Sequence, residues 1–147
     1  QAYAHLLRPL KFDRLAAVPY AALTIGAAVA LAADKPLIYP RKEVKDYGAR
    51  QAVEGAFTPG EQIVVIEDLV TKGGSALKAI NTLEAAGLRV SEVVVLIDRE
   101  EGGREILQEA GYNLHAALTL SQVLETLQQY GRITAAQMQL VKESISG

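Results

Sequence analysis

Two adjacent carboxylates, Glu67 and Asp68, follow four consecutive β-branched residues at 63–66 and precede the turn Thr71-Lys72-Gly73-Gly74-Ser75 by two residues, Leu69 and Val70. A turn of this composition ahead of a helix is a cradle for an anion, because successive main-chain amides and the positive helix end converge on one point. Gly73 and Gly74 remove side chains that would hold a phosphate off the backbone, and the Thr71 and Ser75 hydroxyls add donors. Carboxylates would repel a phosphate they touched. Glu67 and Asp68 are therefore expected to hold another part of the same ligand, the vicinal hydroxyls of a ribose, directly or through a water on Mg²⁺. Phosphate and diol adjoin in a ribose 5-phosphate, so a sugar phosphate satisfies both halves. A lone Gly-Gly more often just ends a strand beside solvated acids; strand, acid pair, hydroxyl-glycine turn and helix in this order are far more specific. The chain has neither the Gly-x-x-x-x-Gly-Lys-Ser/Thr element of nucleoside triphosphate sites nor the Gly-x-Gly-x-x-Gly of dinucleotide sites.

The elements that must position these residues are legible in the hydrophobic pattern. Strands are expected at 14–18, 36–39, 63–66 and 93–97, with a weaker one at 52–57. Residues 63–66 and 93–97 are apolar on both faces, as in a covered parallel sheet. Helices are expected at 21–33, 75–86, 104–110, 120–130 and 135–145, with an amphipathic turn at the start placing Ala2, Leu6 and Leu7 on one face. Gly87, Gly111 and Gly131 close three of them. Alternation of this kind means an α/β fold, a parallel twisted sheet with helices on both faces, in which ligands bind beyond the carboxyl ends of the strands. Two strands end in chemically loaded pairs, Glu67-Asp68 and Asp98-Arg99, and both point to one crevice. The segment 41–50 is polar, charged and broken by Gly48, and reads as an exposed loop.

The chain of 147 residues suits one domain, 1–147, and its 50% hydrophobic and 22% charged residues are ordinary globular composition. A formal net charge of −2 gives no global field for nucleic acid or anionic membrane. No cysteine is present, which removes thiolate chemistry and disulfides and is compatible with a cytoplasmic setting. Residues 15–33 carry no charge and have the length of a membrane span, but alanine dominates them and Pro19 splits them, so a strand and a small-residue helix are expected instead. They lack the basic leader and cleavage pattern of a signal peptide. The chain opens at Gln1, already in a helix, so a missing amino-terminal portion is expected.

The segment Glu67 to Ser75 resembles the phosphoribosyl pyrophosphate (PRPP) motif of type I phosphoribosyltransferases. Two further stretches, Arg41-Lys42-Glu43-Val44-Lys45-Asp46-Tyr47-Gly48 and Leu96-Ile97-Asp98-Arg99-Glu100-Glu101-Gly102-Gly103, resemble the orotate branch of that family, in the form found as one half of bifunctional uridine monophosphate synthases. The resemblance covers nearly the whole chain. It implies a type I phosphoribosyltransferase-like fold and the transfer of ribose 5-phosphate from PRPP to orotate, with Mg²⁺, to give orotidine 5′-monophosphate and pyrophosphate. By motif it implies that Glu67 and Asp68 hold the ribose hydroxyls and that Thr71, Lys72, Gly73, Gly74 and Ser75 bind the 5′-phosphate, with Leu69 and Val70 in the same PRPP-binding run. Thr71 also lies beside the base, Arg99 contacts orotate, and Arg41, Lys42 and Lys45 meet the pyrophosphate. Lys45 and Asp68 are the catalytic residues it implies. The loop 41–48 would close over a neighbouring subunit's site, which implies a homodimer. The physics agrees: breaking the bond to pyrophosphate puts positive charge on the ribose and negative charge on the leaving group, where cations lower the barrier. An arginine at a strand end can meet a carboxylate such as orotate's bidentately.

The chain departs from the family at Lys72, where a small or hydroxylated residue is commoner, and at Pro19-Tyr20-Ala21, where one branch has a phosphate-contacting lysine. Tyr47 stands where some relatives carry a histidine. His115 lies in an apolar run and reads as a structural histidine; Tyr112 and Tyr130 read as core-edge aromatics and 120–145 as packing. Two other readings stay open: a phosphoribosyltransferase for another nucleobase, which Arg99 would discriminate, and a non-catalytic PRPP-binding regulatory module.

Overall fold

The computed structural model describes residues 1–42 and 52–145. In chain order its elements are α1 (Ala2–Leu7), β1 (Arg14–Ala17), α2 (Ala21–Ala33), β2 (Leu37–Pro40), β3 (Val53–Glu54), β4 (Gln62–Val70), α3 (Gly74–Ala85), β5 (Arg89–Asp98), α4 (Gly103–Glu109), β6 (Asn113–Thr119), α5 (Leu120–Gln129) and α6 (Ala135–Ile145). They build a six-stranded sheet in the order β3-β2-β1-β4-β5-β6. Every pairing is parallel except β2 with β3, so the sheet is mixed at one edge rather than wholly parallel.

The central strands are apolar on both faces because both are covered. On one face Ile63, Val65, Val93 and Val95 pack with Ala76, Ile80 and Leu83 of α3 and Leu107 of α4. On the other, Val64, Ile66 and Val94 pack with Tyr3 and Leu7 of α1 and Val29 and Ala30 of α2. The buried residues of α1 are Tyr3 and Leu7, one turn apart, with Leu6 partly buried against the same cluster and Ala2 exposed. The alanine-rich stretch divides at Pro19 into β1 and α2. A Cβ on Gly26 would lie 2.7 Å from the Ala17 Cβ, so small residues let α2 lie directly on β1. Among the described residues no helix is long and apolar enough to cross a membrane.

Three elements differ from the sequence pattern. Strand β4 continues through Glu67 and Asp68 to Val70, because β5 keeps pairing it beyond the point where polar side chains end the apolar run. Strand β6 carries no strong pattern: only Leu114 in Asn113–Thr119 is buried, and its alanines and histidine have little strand preference. It forms because β5 offers it a parallel edge. Helix α6 buries none of its side chains, so packing in the last helix is slight.

Candidate functional site

Strand β4 delivers its last residues to the carboxyl edge of the sheet and α3 leaves that edge one turn later. Gly73, with φ 73°, occupies the left-handed region at the helix N-cap, a conformation that glycine adopts without strain. Among the described residues none of the main-chain amides of Thr71, Lys72, Gly73, Gly74 and Ser75 has a hydrogen-bond partner. They crown a helix of 12 residues, whose dipole favours an anion there. A Cβ on Gly74 would meet nothing within 4 Å, so that face of the turn opens outward. Behind the turn, a Cβ on Gly103 would stand 2.3 Å from the Thr71 carbonyl oxygen, so α4 begins in direct contact with the cradle.

The acidic pair lies inside the strand. Glu67 is 6% exposed, and its Oε2 is buried with no hydrogen-bond partner among the described residues. Burial pushes its carboxyl above the ordinary range, the Ser75 hydroxyl beside it draws it back, and the Asp68 charge adds to the rise. Asp68, next along the pleat, is half-buried. Leu69 is half-buried as well, whereas the Val70 side chain is part of the core, which leaves only its main chain at the site. There the Val70 carbonyl accepts from the Arg99 amide at 2.9 Å, tying the ends of β4 and β5 together.

Cations approach from the other side. Arg41 and Lys42 share a cavity with Ser75 and with Val18 and Pro19 at the end of β1. Arg41 is ion-paired with Glu54, and the Lys42 ammonium lies 4.8 Å from the centre of the Tyr20 ring. Lys78, which the sequence reading passed over, lines the same cavity one helical turn beyond Ser75; its i, i+3 spacing from that serine was the available signal. Lys72 is exposed at the turn. Lys45, Tyr47 and Gly48 lie outside the described residues. The Arg99 guanidinium pairs with Glu101 at 2.8 Å and is partly exposed, so it is accessible but already engaged.

Asp98 turns out to serve the fold. It is 3% exposed, accepts from the Glu100 amide at 2.9 Å and from Arg104 Nε at 3.0 Å, and so anchors the turn that presents Arg99. His115 Nε2 lies 2.6 Å from Glu92 Oε2 across β6 and β5, away from the cradle. Tyr112 bonds to Glu84 at the edge of the core, and Tyr130 is 73% exposed.

No family model matches the chain. It is 42% identical over 136 residues to the uridine 5′-monophosphate synthase of Bos taurus, covering 92% of this chain and 28% of that protein. The structure of Leishmania donovani UMP synthase superposes with a TM-score of 0.90 at 40% identity, over 99% of this chain and 31% of that one. The crystal structure of orotate phosphoribosyltransferase from Aeropyrum pernix matches with a TM-score of 0.72 at 32% identity, over 85% of this chain and 73% of that one. The chain therefore spans less than one third of the length of the first two relatives and most of the third.

Proposed function

Because the chain belongs to the orotate phosphoribosyltransferase family, we propose that the protein transfers ribose 5-phosphate from PRPP to orotate, forming orotidine 5′-monophosphate and pyrophosphate in pyrimidine biosynthesis. The observation that carries this reading is the row of amides at 71–75 that, like Oε2 of Glu67, have no partner among the described residues. One end of the site seeks an anion and the other a hydroxyl donor, at the two ends of a ribose 5-phosphate.

In this reading the 71–75 turn grips the 5′-phosphate, with Thr71 beside the base, and Glu67 and Asp68 clasp the ribose hydroxyls. Positive charge that grows on the ribose as the bond to pyrophosphate breaks is stabilised by the adjacent carboxylates. Arg41 and Lys42, joined by Lys45, take up the negative charge on the leaving group, and Arg99 exchanges Glu101 for the orotate carboxylate. The acidic pair supplies too few oxygens to cage a hard cation that seeks six. Mg²⁺ carried by PRPP would be held through water by Glu67 and Asp68 and would supply positive charge to neutralise the pyrophosphate. A homodimer with shared sites and a cytoplasmic location complete the proposal.

The test is turnover by the full-length protein with PRPP, Mg²⁺ and a panel of nucleobases. Orotate alone should be consumed, and Asp68→Asn and Arg41→Ala should each lower kcat/KM by about a hundredfold or more. Unimpaired turnover by both variants, or preference for another base, would overturn it; tight PRPP binding without turnover by the full-length protein would point to a regulatory module.

A further inference from the structure

A phenol from the first helix reaches the acidic pair from behind. Tyr3, 8% exposed, packs among Leu7, Val64, Ile66 and Val94. Its hydroxyl donates to the main-chain carbonyl of Glu67 at 2.7 Å, across 64 residues of sequence. The backbone of Leu96 on β5 acts on the same phenol, easing its deprotonation against the larger effect of burial.

The sheet explains why a side chain is used there. Between β4 and β5 the pairing runs Glu67 with Val95 and then Leu69 with Ile97, so that among the described residues it lapses at Asp68 and Leu96. The pairing of β5 with β6 passes over Leu96 as well, running Val95 with Ala116 and Ile97 with Leu118. On its other side β4 loses β1 after Ile66, whose carbonyl takes the amide of Val18. The acidic pair thus stands where the sheet has ended on one side and misses a rung on the other. The Tyr3 hydroxyl bonds the carbonyl of Glu67, immediately before that gap. Burial, more than the nearby Asp68 and Glu67 charges, keeps the phenol protonated, and it remains a donor throughout the ordinary pH range.

We propose that Tyr3 is a positioning residue for ribose recognition, whose hydroxyl fixes the main chain at Glu67 and so sets the aim of the Glu67 and Asp68 carboxylates at the PRPP diol. It acts through the strand and does not touch the substrate. The inference rests on the PRPP reading above.

Tyr3→Phe in the full-length protein keeps the ring and removes only the hydroxyl. In calorimetric titration with PRPP and Mg²⁺ the variant is expected to bind about tenfold more weakly than the wild type, the scale of one lost hydrogen bond. Its KM for orotate should change less than twofold. The double variant with Glu67→Gln should bind no more weakly than Glu67→Gln alone, since both act on one group. A purely structural tyrosine would lower the melting temperature while leaving PRPP affinity and the ratio of the two KM values unchanged, and that result overturns the proposal. Should Tyr3→Phe not fold, the wild type provides the decision: exchange of the Leu96 amide with deuterium should slow when PRPP binds, and unchanged exchange overturns it. Failure of the wild type to bind PRPP at all would instead bring down the functional reading on which the proposal stands.

Discussion

Replacing Glu67 by glutamine should make the protein more stable and a worse PRPP binder. Once ionised in the folded state, Glu67 is a carboxylate that is 6% exposed and has one oxygen without a partner among the described residues. An unsatisfied buried acceptor costs about 1–3 kcal/mol, and more when charged. Glutamine keeps the shape, and its neutral orphan still costs about 1 kcal/mol, which leaves a net gain of about 1–2 kcal/mol. For a chain of this size that corresponds to roughly 3–6 °C in Tm. The gain must depend on pH in a defined direction. Burial raises the Glu67 carboxyl above its ordinary 4.5 in the folded state. Below 4.5 it is protonated whether folded or unfolded, and the two proteins should be equally stable. As pH rises through the raised folded value the wild type loses stability relative to the variant, and above that value the difference is constant. Thermal and urea unfolding of both proteins between about pH 4 and pH 8 measures this divergence. Parallel curves, or a glutamine variant less stable than wild type at neutral pH, would refute the claim that Glu67 is held in the site at the expense of the fold. A PRPP affinity unchanged in the variant would refute its role at the diol.

Two further outcomes follow from the same geometry. Arg14 donates to Glu61 through Nη2 at 2.8 Å, and this bond holds the Glu61 carboxyl down to about 2. A depressed carboxyl adds stability above its unfolded 4.5 and loses it as pH falls toward 2, so Glu61→Gln should flatten the acid limb of a stability–pH profile in that window; an unchanged acid limb would show that the pair does not contribute. Gly103→Ala would force a Cβ to within 2.3 Å of the Thr71 carbonyl oxygen. It should cost about 1–3 kcal/mol in urea unfolding and weaken PRPP binding through the displaced turn, and wild-type PRPP affinity in the folded variant would show that the turn does not move.

The cradle was readable from sequence because everything that makes it is local. Four β-branched residues demand a strand, Gly73 permits the turn, and the following apolar spacing demands a helix, so the free amides must lie between them. The same holds for Ala21–Ala33 and Ala135–Ile145, where helical spacing and composition act over a few turns. The role of Asp98 is not legible in sequence, because a carboxylate at a strand end looks alike whether it faces a ligand or, as here, Arg104 and the Glu100 amide. Strand β6 was missed because its partner, not its composition, makes it a strand.

By itself the sequence determined the order of strands and helices apart from β6, the glycine turn ahead of α3 and the acids before it, since these depend on the conformational preferences of neighbouring residues. Only the tertiary structure decided that β4 carries Glu67 and Asp68 within the sheet, that Lys78 joins Arg41 and Lys42 in one cavity, and that Tyr3 supports Glu67 from 64 residues away. Those contacts exist because two helical layers close on opposite faces of one sheet, and that packing brings together side chains whose local sequence carries no trace of the encounter.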